Sequence, residues 1–180
     1  MIVFLSDGRE QEVGQRLYEE VTTRGVDARY ISLEDKDIRP CLGCSSCSGS
    51  TFRRCVQKDG MEDVLHSVAD CDAWLIITPV HFGGLSSTAK CVQERMVPLG
   101  DPRYYVRKGE LVKGMGKGSQ AFYLVGVKDH CSQKEKEVFH SLHRENVRIM
   151  NCPGQAFVVE KQPEEETIRK IVEVLLHDEK

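Results

Sequence analysis

Short apolar runs alternate with amphipathic helical stripes along this chain, and that alternation constrains its fold more than any other feature. Residues 73–77 are continuously apolar, as expected of a central parallel strand that is buried on both faces. The predicted strands are residues 2–5, 28–33, 73–77, 121–125 and one within 147–159, which is interrupted near Pro153 and Gly154. Five strands, each followed by a helix, predict a doubly wound α/β fold, with a five-stranded parallel sheet and helices on both faces.

Two of the predicted helices begin with a capping box, in which two side chains satisfy backbone N–H groups reciprocally. Asp59 with Glu62 has this spacing, and so does Ser132 with Glu135. Pro163 and three glutamates open the last helix, where negative charge suits the positive helix end. The predicted inward stripes are Val13, Leu17 and Val21; Met61, Val64, Leu65 and Val68; Leu85, Ala89, Val92 and Met96; Val138, Phe139 and Leu142; and Ile168, Ile171, Val172 and Leu175.

Length and charge narrow the functional classes. The 180 residues suit a single domain over residues 1–180, and a net charge of −3 gives no reason to expect nucleic acid or anionic membrane as a partner. Only five consecutive apolar residues occur near the N-terminus, which is too few for a signal peptide or a membrane span. A cytoplasmic protein is therefore expected, in a reducing compartment where disulfides are rare.

Four of the eight cysteines lie within fifteen residues, in the pattern C-x2-C-x2-C-x7-C. They are Cys41, Cys44, Cys47 and Cys55, in an insert over residues 38–60 that is too short to bury a core of its own. A metal centre is the leading explanation of its order. Three cysteines at consecutive x2 spacings suit an iron–sulfur cubane better than the two separated knuckles of a zinc site. Zinc, a redox disulfide and free thiols are the alternatives.

The fold predicts where a ligand would bind. In doubly wound sheets, ligands bind outside the carboxyl ends of the strands, where the strand order reverses. This places residues 6–9, 78–84 and 126–131 on one rim. Residues 98–118 form a long, Gly- and Lys-rich loop, which in a compact domain is typical of a lid, a binding loop or a subunit contact.

Four sequence stretches carry a resemblance to a known family. They are IRPCLGCSSC with CVQKDGM (38–47 and 55–61), TPVHFG (78–83) and KCVQER (90–95). Together they resemble the NAD(P)H-dependent FMN reductase and iron–sulfur flavoprotein family, whose fold is flavodoxin-like. In the iron–sulfur members a compact four-cysteine motif binds a [4Fe-4S] cluster, and Cys41, Cys44, Cys47 and Cys55 match its positions. The resemblance also implies FMN and NAD(P)H as cofactors, and homodimers or homotetramers.

The same resemblance implies a set of flavin-binding residues. Thr78, Pro79, Val80, His81, Phe82 and Gly83 match the loop against the flavin ring, with His81 where a tyrosine is usual. Ser6, Gly8 and Arg9 match the loop that cradles the phosphate at a helix N-terminus. Asp7, Glu10 and Glu12 depart from that pattern, since two like charges 4 Å apart repel by roughly 4 kcal/mol at an effective dielectric of 20. Residues 126–131 also lack the family's glycine-rich turn.

Several residues have both a functional and a structural interpretation. His81 and His130 lie on the predicted rim and are candidate catalytic residues, or polar rim residues without a catalytic role. Cys71, Cys91 and Cys152 are predicted to be small buried residues, and Cys131 lies on the rim. His140 and His143 are predicted to be solvated on a charged helix face, and Trp74 to belong to the core.

Three functions follow from these patterns. The first is an iron–sulfur flavoprotein-like oxidoreductase that passes electrons between FMN and a [4Fe-4S] cluster, with a redox protein or small-molecule acceptor as partner. The second is an NAD(P)H-dependent FMN or quinone reductase without a cluster. The third is a non-enzymatic, cluster-bearing or partner-binding subunit that has lost FMN.

Overall fold

The computed structural model describes residues 1–8, 11–101, 103–114 and 120–177. The strands are β1 (Ile2–Ser6), β2 (Ala28–Ser32), β3 (Ala73–Pro79), β4 (Tyr105–Arg107), β5 (Glu110–Val112), β6 (Ala121–Val127) and β7 (Ala156–Val159). The helices are α1 (Gln11–Thr23), α2 (Met61–Ala69), α3 (Ser87–Glu94), α4 (Gln133–Met150) and α5 (Glu165–His177). Two short 3-10 turns, Ser46–Ser48 and Val97–Leu99, lie before α2 and after α3.

The central sheet has five parallel strands in the order β2-β1-β3-β6-β7. Ile2 of β1 pairs with Ala28 on one side and with Ala73 on the other, so β1 lies between β2 and β3. The chain therefore runs outward from β1 to β2 and then returns past β1 to β3. This is the flavodoxin-like doubly wound order, with a β4–β5 hairpin added before the fourth sheet strand. The predicted fold is confirmed.

Two apolar cores lie on opposite faces of the sheet because alternate residues of each strand point to opposite faces. On one face Ile2, Phe4 and Leu75 pack against α1 and α5. On the other face Trp74 and Phe122, whose ring centroids are 4.0 Å apart, pack with residues of α2, α3 and α4. Trp74 is therefore a core residue, as predicted.

The chain around α4 differs from the prediction in two ways. Residues 147–150 form the last turn of α4 rather than a strand, and the fifth sheet strand begins only at Ala156. Asn151 ends the helix in the left-handed conformation, with φ of 50°. His143 is buried rather than solvated, and one ring nitrogen lies 2.8 Å from the carbonyl oxygen of Phe122. Burial lowers the pKa of His143, which is consistent with a neutral core histidine.

The loop predicted over residues 98–118 contains an antiparallel hairpin of β4 and β5. Lys108 and Gly109 have φ of 51° and 82°, as the type I′ turn of a two-residue hairpin requires. The hairpin packs against the end of α4: the backbone N–H of Lys113 donates to the carbonyl oxygen of Ile149 at 2.8 Å. Residues 102 and 115–119 of the predicted loop lie outside the described residues.

None of the helices in the described part of the chain is both long and apolar enough to cross a membrane.

Candidate functional site

The carboxyl ends of β1, β3 and β6 meet at one edge of the sheet, where the predicted rim lies. Ser6 pairs in register with Ile77, and Thr78 pairs with Gly126, so the segments that follow these strands emerge side by side. Gly8 lies at this edge against the side chain of Glu34. Ser6 is fully buried, and its hydroxyl faces Gly14 of α1. The third predicted phosphate-binding residue, Arg9, lies outside the described residues.

Asp7 is buried at the point where the strand order reverses, and its carboxylate faces the start of α3. The hydroxyl of Ser86 donates to one carboxylate oxygen of Asp7 and accepts from the backbone N–H of Ala89, which caps α3. The backbone N–H of Ser86 in turn donates to the hydroxyl of Thr78 at 3.1 Å. Asp7 thus has a local structural role, joining the first loop to β3 and α3. Its negative charge nevertheless remains beside the predicted phosphate loop.

The segment that follows β3 divides into a buried part and an exposed turn. Thr78 and Val80 are buried, whereas Phe82 is 93% exposed. The backbone groups of His81 and Gly84 form two mutual hydrogen bonds of 3.0 and 2.8 Å, and both intervening residues have positive φ. A Cβ atom at Gly83 would lie 2.7 Å from Cβ of Val138, so glycine allows the turn to pack on α4. The turn therefore presents one aromatic ring and one imidazole at the sheet edge.

The two candidate catalytic histidines follow the neighbouring strands β3 and β6. His81 and His130 are both exposed, and His130 has φ of 53°. Beyond His130, Ser132 and Glu135 form the predicted capping box, with Lys128 paired to Glu135. Hydrogen bonds from Lys128 and Ser132 lower the pKa of Glu135 to about 2. A catalytic role for either histidine stays a prediction.

The cysteine insert has no core of its own, as predicted. Not one residue from 39 to 58 is buried. This segment lies between β2 and α2 and is longer than either of them. Cys41 and Cys44 are exposed, Cys47 and Cys55 are half-buried, and all four are free thiols. No three His, Cys, Asp or Glu side chains in the described ranges are grouped closely enough to hold a single metal ion. In a cubane, by contrast, each cysteine binds a different iron.

Three of the four sulfur atoms face hydrogen-bond donors. The backbone N–H of Gly43 donates to Sγ of Cys41 at 3.5 Å, and a guanidinium N–H of Arg95 donates to Sγ of Cys55 at 3.5 Å. Hydrogen bonds from the side chain and backbone of Ser46 lower the pKa of Cys44. At Cys44 these donors favour the thiolate, which is the form that binds metals. The chemistry of this donor set fits an iron–sulfur cluster.

A buried ion pair anchors both ends of the insert, and sequence reasoning missed it. Nη1 of Arg95 lies 2.5 Å from Oδ2 of Asp59, and the two side chains are 1% and 0% exposed. The same nitrogen donates to the carbonyl oxygen of Arg39 at 3.0 Å, while the backbone N–H of Arg39 donates to Asp59 at 3.1 Å. Arg95 thus contacts residue 39, Cys55 and Asp59 at once. Only its place in the KCVQER stretch pointed to it.

Asp59 has a different role from the predicted capping box. Its second carboxylate oxygen accepts from the backbone N–H of Met61 at 3.1 Å, but Glu62 pairs with Lys58 at 2.9 Å and does not reciprocate. Burial raises the pKa of Asp59, but the hydrogen bonds from Arg95, Arg39 and Met61 outweigh it and leave the pKa at about 2. The carboxylate is therefore charged under all ordinary conditions and can balance the buried guanidinium.

The remaining cysteines differ from one another. Cys71 is buried, as predicted, whereas Cys91, Cys131 and Cys152 are half-buried. Desolvation raises the pKa of Cys152 to about 12 and also raises that of Cys91. These environments favour the protonated, unreactive thiol.

Comparison with protein families shows to which family this chain belongs. The model of the family described as NADPH-dependent FMN reductase matches residues 5–162, which is most of the chain. The chain belongs to this family. The match runs from the end of β1 through β7, and it confirms the resemblance seen in the sequence motifs.

Two archaeal relatives match part of this chain. An iron–sulfur flavoprotein of Methanocaldococcus jannaschii is 32% identical over 79 residues, which cover 44% of this chain and 40% of the relative. An iron–sulfur flavoprotein of Archaeoglobus fulgidus is 36% identical over 87 residues, which cover 47% of this chain and 42% of the relative. In both cases the match covers less than half of the relative's length.

Solved structures with low sequence identity share the fold. The structure of RosB with bound 8-demethyl-8-formylriboflavin-5'-phosphate has a TM-score of 0.66 at 12% identity, over 99% of this chain and 79% of RosB. An FMN-dependent NADH-azoreductase from Bacillus anthracis, in complex with FMN, has a TM-score of 0.59 at 9% identity, over 99% of this chain and 97% of the azoreductase. At these identities the likeness is one of fold.

Proposed function

We propose that this protein is an iron–sulfur flavoprotein-type oxidoreductase, in which FMN lies at the carboxyl edge of β1, β3 and β6 and a [4Fe-4S] cluster is held by the cysteine insert. One observation carries the proposal. A segment of twenty residues without a buried side chain holds four free cysteines, and the sulfur atoms of three of them face hydrogen-bond donors. Cluster ligation gives both the order of this segment and its donors a physical reason.

For the cluster, Cys41, Cys44, Cys47 and Cys55 would be the ligands, and the N–H group of Arg95 would donate to the sulfur of Cys55. Hydrogen bonds to the sulfurs are one of the means by which a protein sets a cluster's potential. The names of the two archaeal relatives support this assignment.

For FMN, the proposed site is the edge between β1 and β3. The family match supports the cofactor, and the exposed turn from His81 to Gly84 supports the position of the isoalloxazine ring, because Phe82 offers an aromatic surface there. Bound at this edge, FMN would supply two-electron hydride chemistry with NAD(P)H, and a cluster held by the insert would supply one-electron transfer. His81 and His130 would donate hydrogen bonds at this edge.

An anaerobic preparation tests both cofactors at once. Iron and acid-labile sulfide should each approach four per chain, with broad absorbance near 400 nm, and denaturation should release one FMN. Serine at any of the four cysteines should abolish iron retention, whereas Cys152→Ser should retain it because Cys152 follows the end of α4 and lies outside the insert. Stoichiometric zinc in place of iron would contradict the cluster.

The position of Asp7 supports a second candidate function, that of a cluster-bearing subunit that has lost FMN. Its buried carboxylate puts a negative charge beside the loop where the FMN phosphate should bind. Iron without flavin, together with no rebinding of added FMN, would favour this candidate. Flavin without iron would favour the remaining alternative, an NAD(P)H-dependent FMN or quinone reductase whose cysteines are structural or redox-active.

We further propose a homodimer or homotetramer with a redox protein or a small-molecule acceptor as partner. The hairpin supports assembly, because Val106 and Leu111 form a cross-strand pair and are 71% and 62% exposed. Size-exclusion chromatography with light scattering measures the assembly directly, and Val106→Lys should dissociate it.

A further inference from the structure

A cavity of about 350 Å³ adjoins Cys55 on the side of the insert that faces α2. We call it the Cys55 cavity. Among the residues that the structure describes, those directly after the ends of β1, β3 and β6 do not line it, so it is distinct from the proposed flavin edge. Its volume lies within the range of small-molecule sites, which is about 300–1,000 Å³.

The floor of the Cys55 cavity is apolar. Leu65 and Ala69 come from α2, and Pro98 and Leu99 come from the 3-10 turn that follows α3. Pro98 and Leu99 are buried beneath the cavity, while Leu65 and Ala69 are open to it. A flat hydrocarbon body would cover this surface and gain free energy from its burial.

The rim of the cavity is cationic. Lys58 and Arg95 are paired with Glu62 and Asp59, but Arg53 and Arg54 make no salt bridge among the residues that the structure describes. Two backbone-directed hydrogen bonds hold the turn that carries these arginines. The N–H of Arg53 donates to the carbonyl oxygen of Cys47 at 2.7 Å, and the hydroxyl of Thr51 donates to that of Arg54 at 2.6 Å.

We propose that the Cys55 cavity binds a small organic anion, with a planar apolar body on the floor and a carboxylate, phosphate or sulfonate group at Arg53 and Arg54. The guanidinium fork pairs with such groups through two parallel hydrogen bonds. A ligand here would contact Cys55, which is one of the four proposed cluster ligands. Its relevance to electron transfer therefore rests on the proposed function, but its binding does not.

A second cavity of about 570 Å³, between the hairpin and α4, provides the comparison. It also has arginines, but they are already engaged: Arg148 pairs with Glu110 and Glu145, Arg107 contacts Asn151, and Arg144 donates to Ser141. Arg144 is therefore a matched control for a general effect of removing one exposed positive charge.

Calorimetric titration of the full chain, prepared anaerobically, tests the inference with two probes that have the same aromatic ring system and differ only in their polar group. Naphthalene-2-carboxylate should bind at one site per chain and at least tenfold more tightly than naphthalene-2-methanol. Arg53→Gln and Arg54→Gln should each weaken the carboxylate at least fivefold, because a hydrogen bond to a charged group is lost. Arg144→Gln should leave the affinity for naphthalene-2-carboxylate unchanged.

Equal affinity for the acid and the alcohol, no saturable binding, or an equal loss in Arg144→Gln would overturn the inference. Iron and flavin contents measured on the same sample distinguish a failure of the ligand site from a failure of the proposed function. A sample without iron and flavin that still binds the carboxylate would contradict only the proposed function. An iron-loaded sample without binding would contradict only the ligand site.

Discussion

The guanidinium of Arg95 and the carboxylate of Asp59 form an ion pair of 2.5 Å with both side chains out of contact with water. The pair joins the end of the cysteine insert to the end of α3, because Asp59 lies just before α2 and Arg95 just after α3. A buried pair of this kind is not a large source of stability compared with an apolar replacement, but removing one partner leaves an uncompensated charge.

The first prediction concerns that uncompensated charge. Asp59→Leu should lower the free energy of unfolding by about 3 kcal/mol or more, because Arg95 would stay buried and unpaired. Denaturation in urea measures the change. Combining it with Arg95→Met should recover part of the loss, since both charges are then absent. Lys170→Met, in an exposed pair with Glu166, should leave stability nearly unchanged.

The second prediction concerns pH. The pKa of Asp59 is about 2 in the folded protein and near 3.9 in the unfolded chain, so the unfolded state takes up the proton first as pH falls. The resulting stabilisation, about 2 kcal/mol, is complete above the unfolded pKa and is lost as pH falls towards 2. Unfolding free energies at pH 2.5 to 6 should therefore show a smaller acid dependence in Asp59→Asn. An unchanged slope would contradict the assignment. Glu135, whose pKa is also about 2, contributes in the same direction in both proteins.

The third prediction concerns thiol reactivity in metal-free protein. Cys44 is exposed and its pKa is lowered by Ser46, whereas burial raises the pKa of Cys152 to about 12. Iodoacetamide at pH 7.5 should therefore alkylate Cys44 well before Cys152, as followed by peptide mass spectrometry. Ser46→Ala should slow the reaction at Cys44 alone. Faster modification of Cys152 than of Cys44 would show that the helix end opens in solution.

The fourth prediction concerns the hydrogen bond from Arg95 to Cys55. Arg95→Lys keeps the charge near Asp59 but loses the second N–H group that faces the sulfur. In cluster-loaded protein the midpoint potential should fall by roughly 60 mV, a tenfold change in the one-electron equilibrium. Redox titration followed by electron paramagnetic resonance measures it. Lys90→Met, on the exposed side of α3, is the control. Equal potentials in all three proteins would limit Arg95 to anchoring the insert.

The fifth prediction concerns Asp7 and FMN. Asp7→Asn removes the charge but retains an acceptor for Ser86, so FMN should bind about tenfold more tightly, which corresponds to about 1.4 kcal/mol. Ser86→Ala is the matched control, because it removes the hydrogen bond and keeps the charge. Fluorescence quenching of added FMN reports both affinities. A gain in Ser86→Ala equal to that in Asp7→Asn would mean that the charge is not the obstacle.

Local patterns were enough for the elements of the sheet. The run at residues 73–77 could only be a strand buried on both faces, and it lies at the centre of the sheet, in β3. The same method failed where apolar residues suit two structures. Val147 and Met150 look like the start of a strand, but they pack on the core as the last turn of α4. The hairpin was missed because β4 and β5 have three residues each, too few to show alternation.

Spacing along the chain therefore predicted the five strands of the central sheet and the order of the helices, and it singled out the four neighbouring cysteines, because each of these depends on residues only a few positions apart. The partners of those elements depend on the tertiary structure. Arg95 and Asp59 are separated by 36 residues, and Asp7 and Ser86 by 79. No local period connects such residues. They meet because parallel strands carry all their carboxyl ends to one edge, and because the insert folds back over the end of α3.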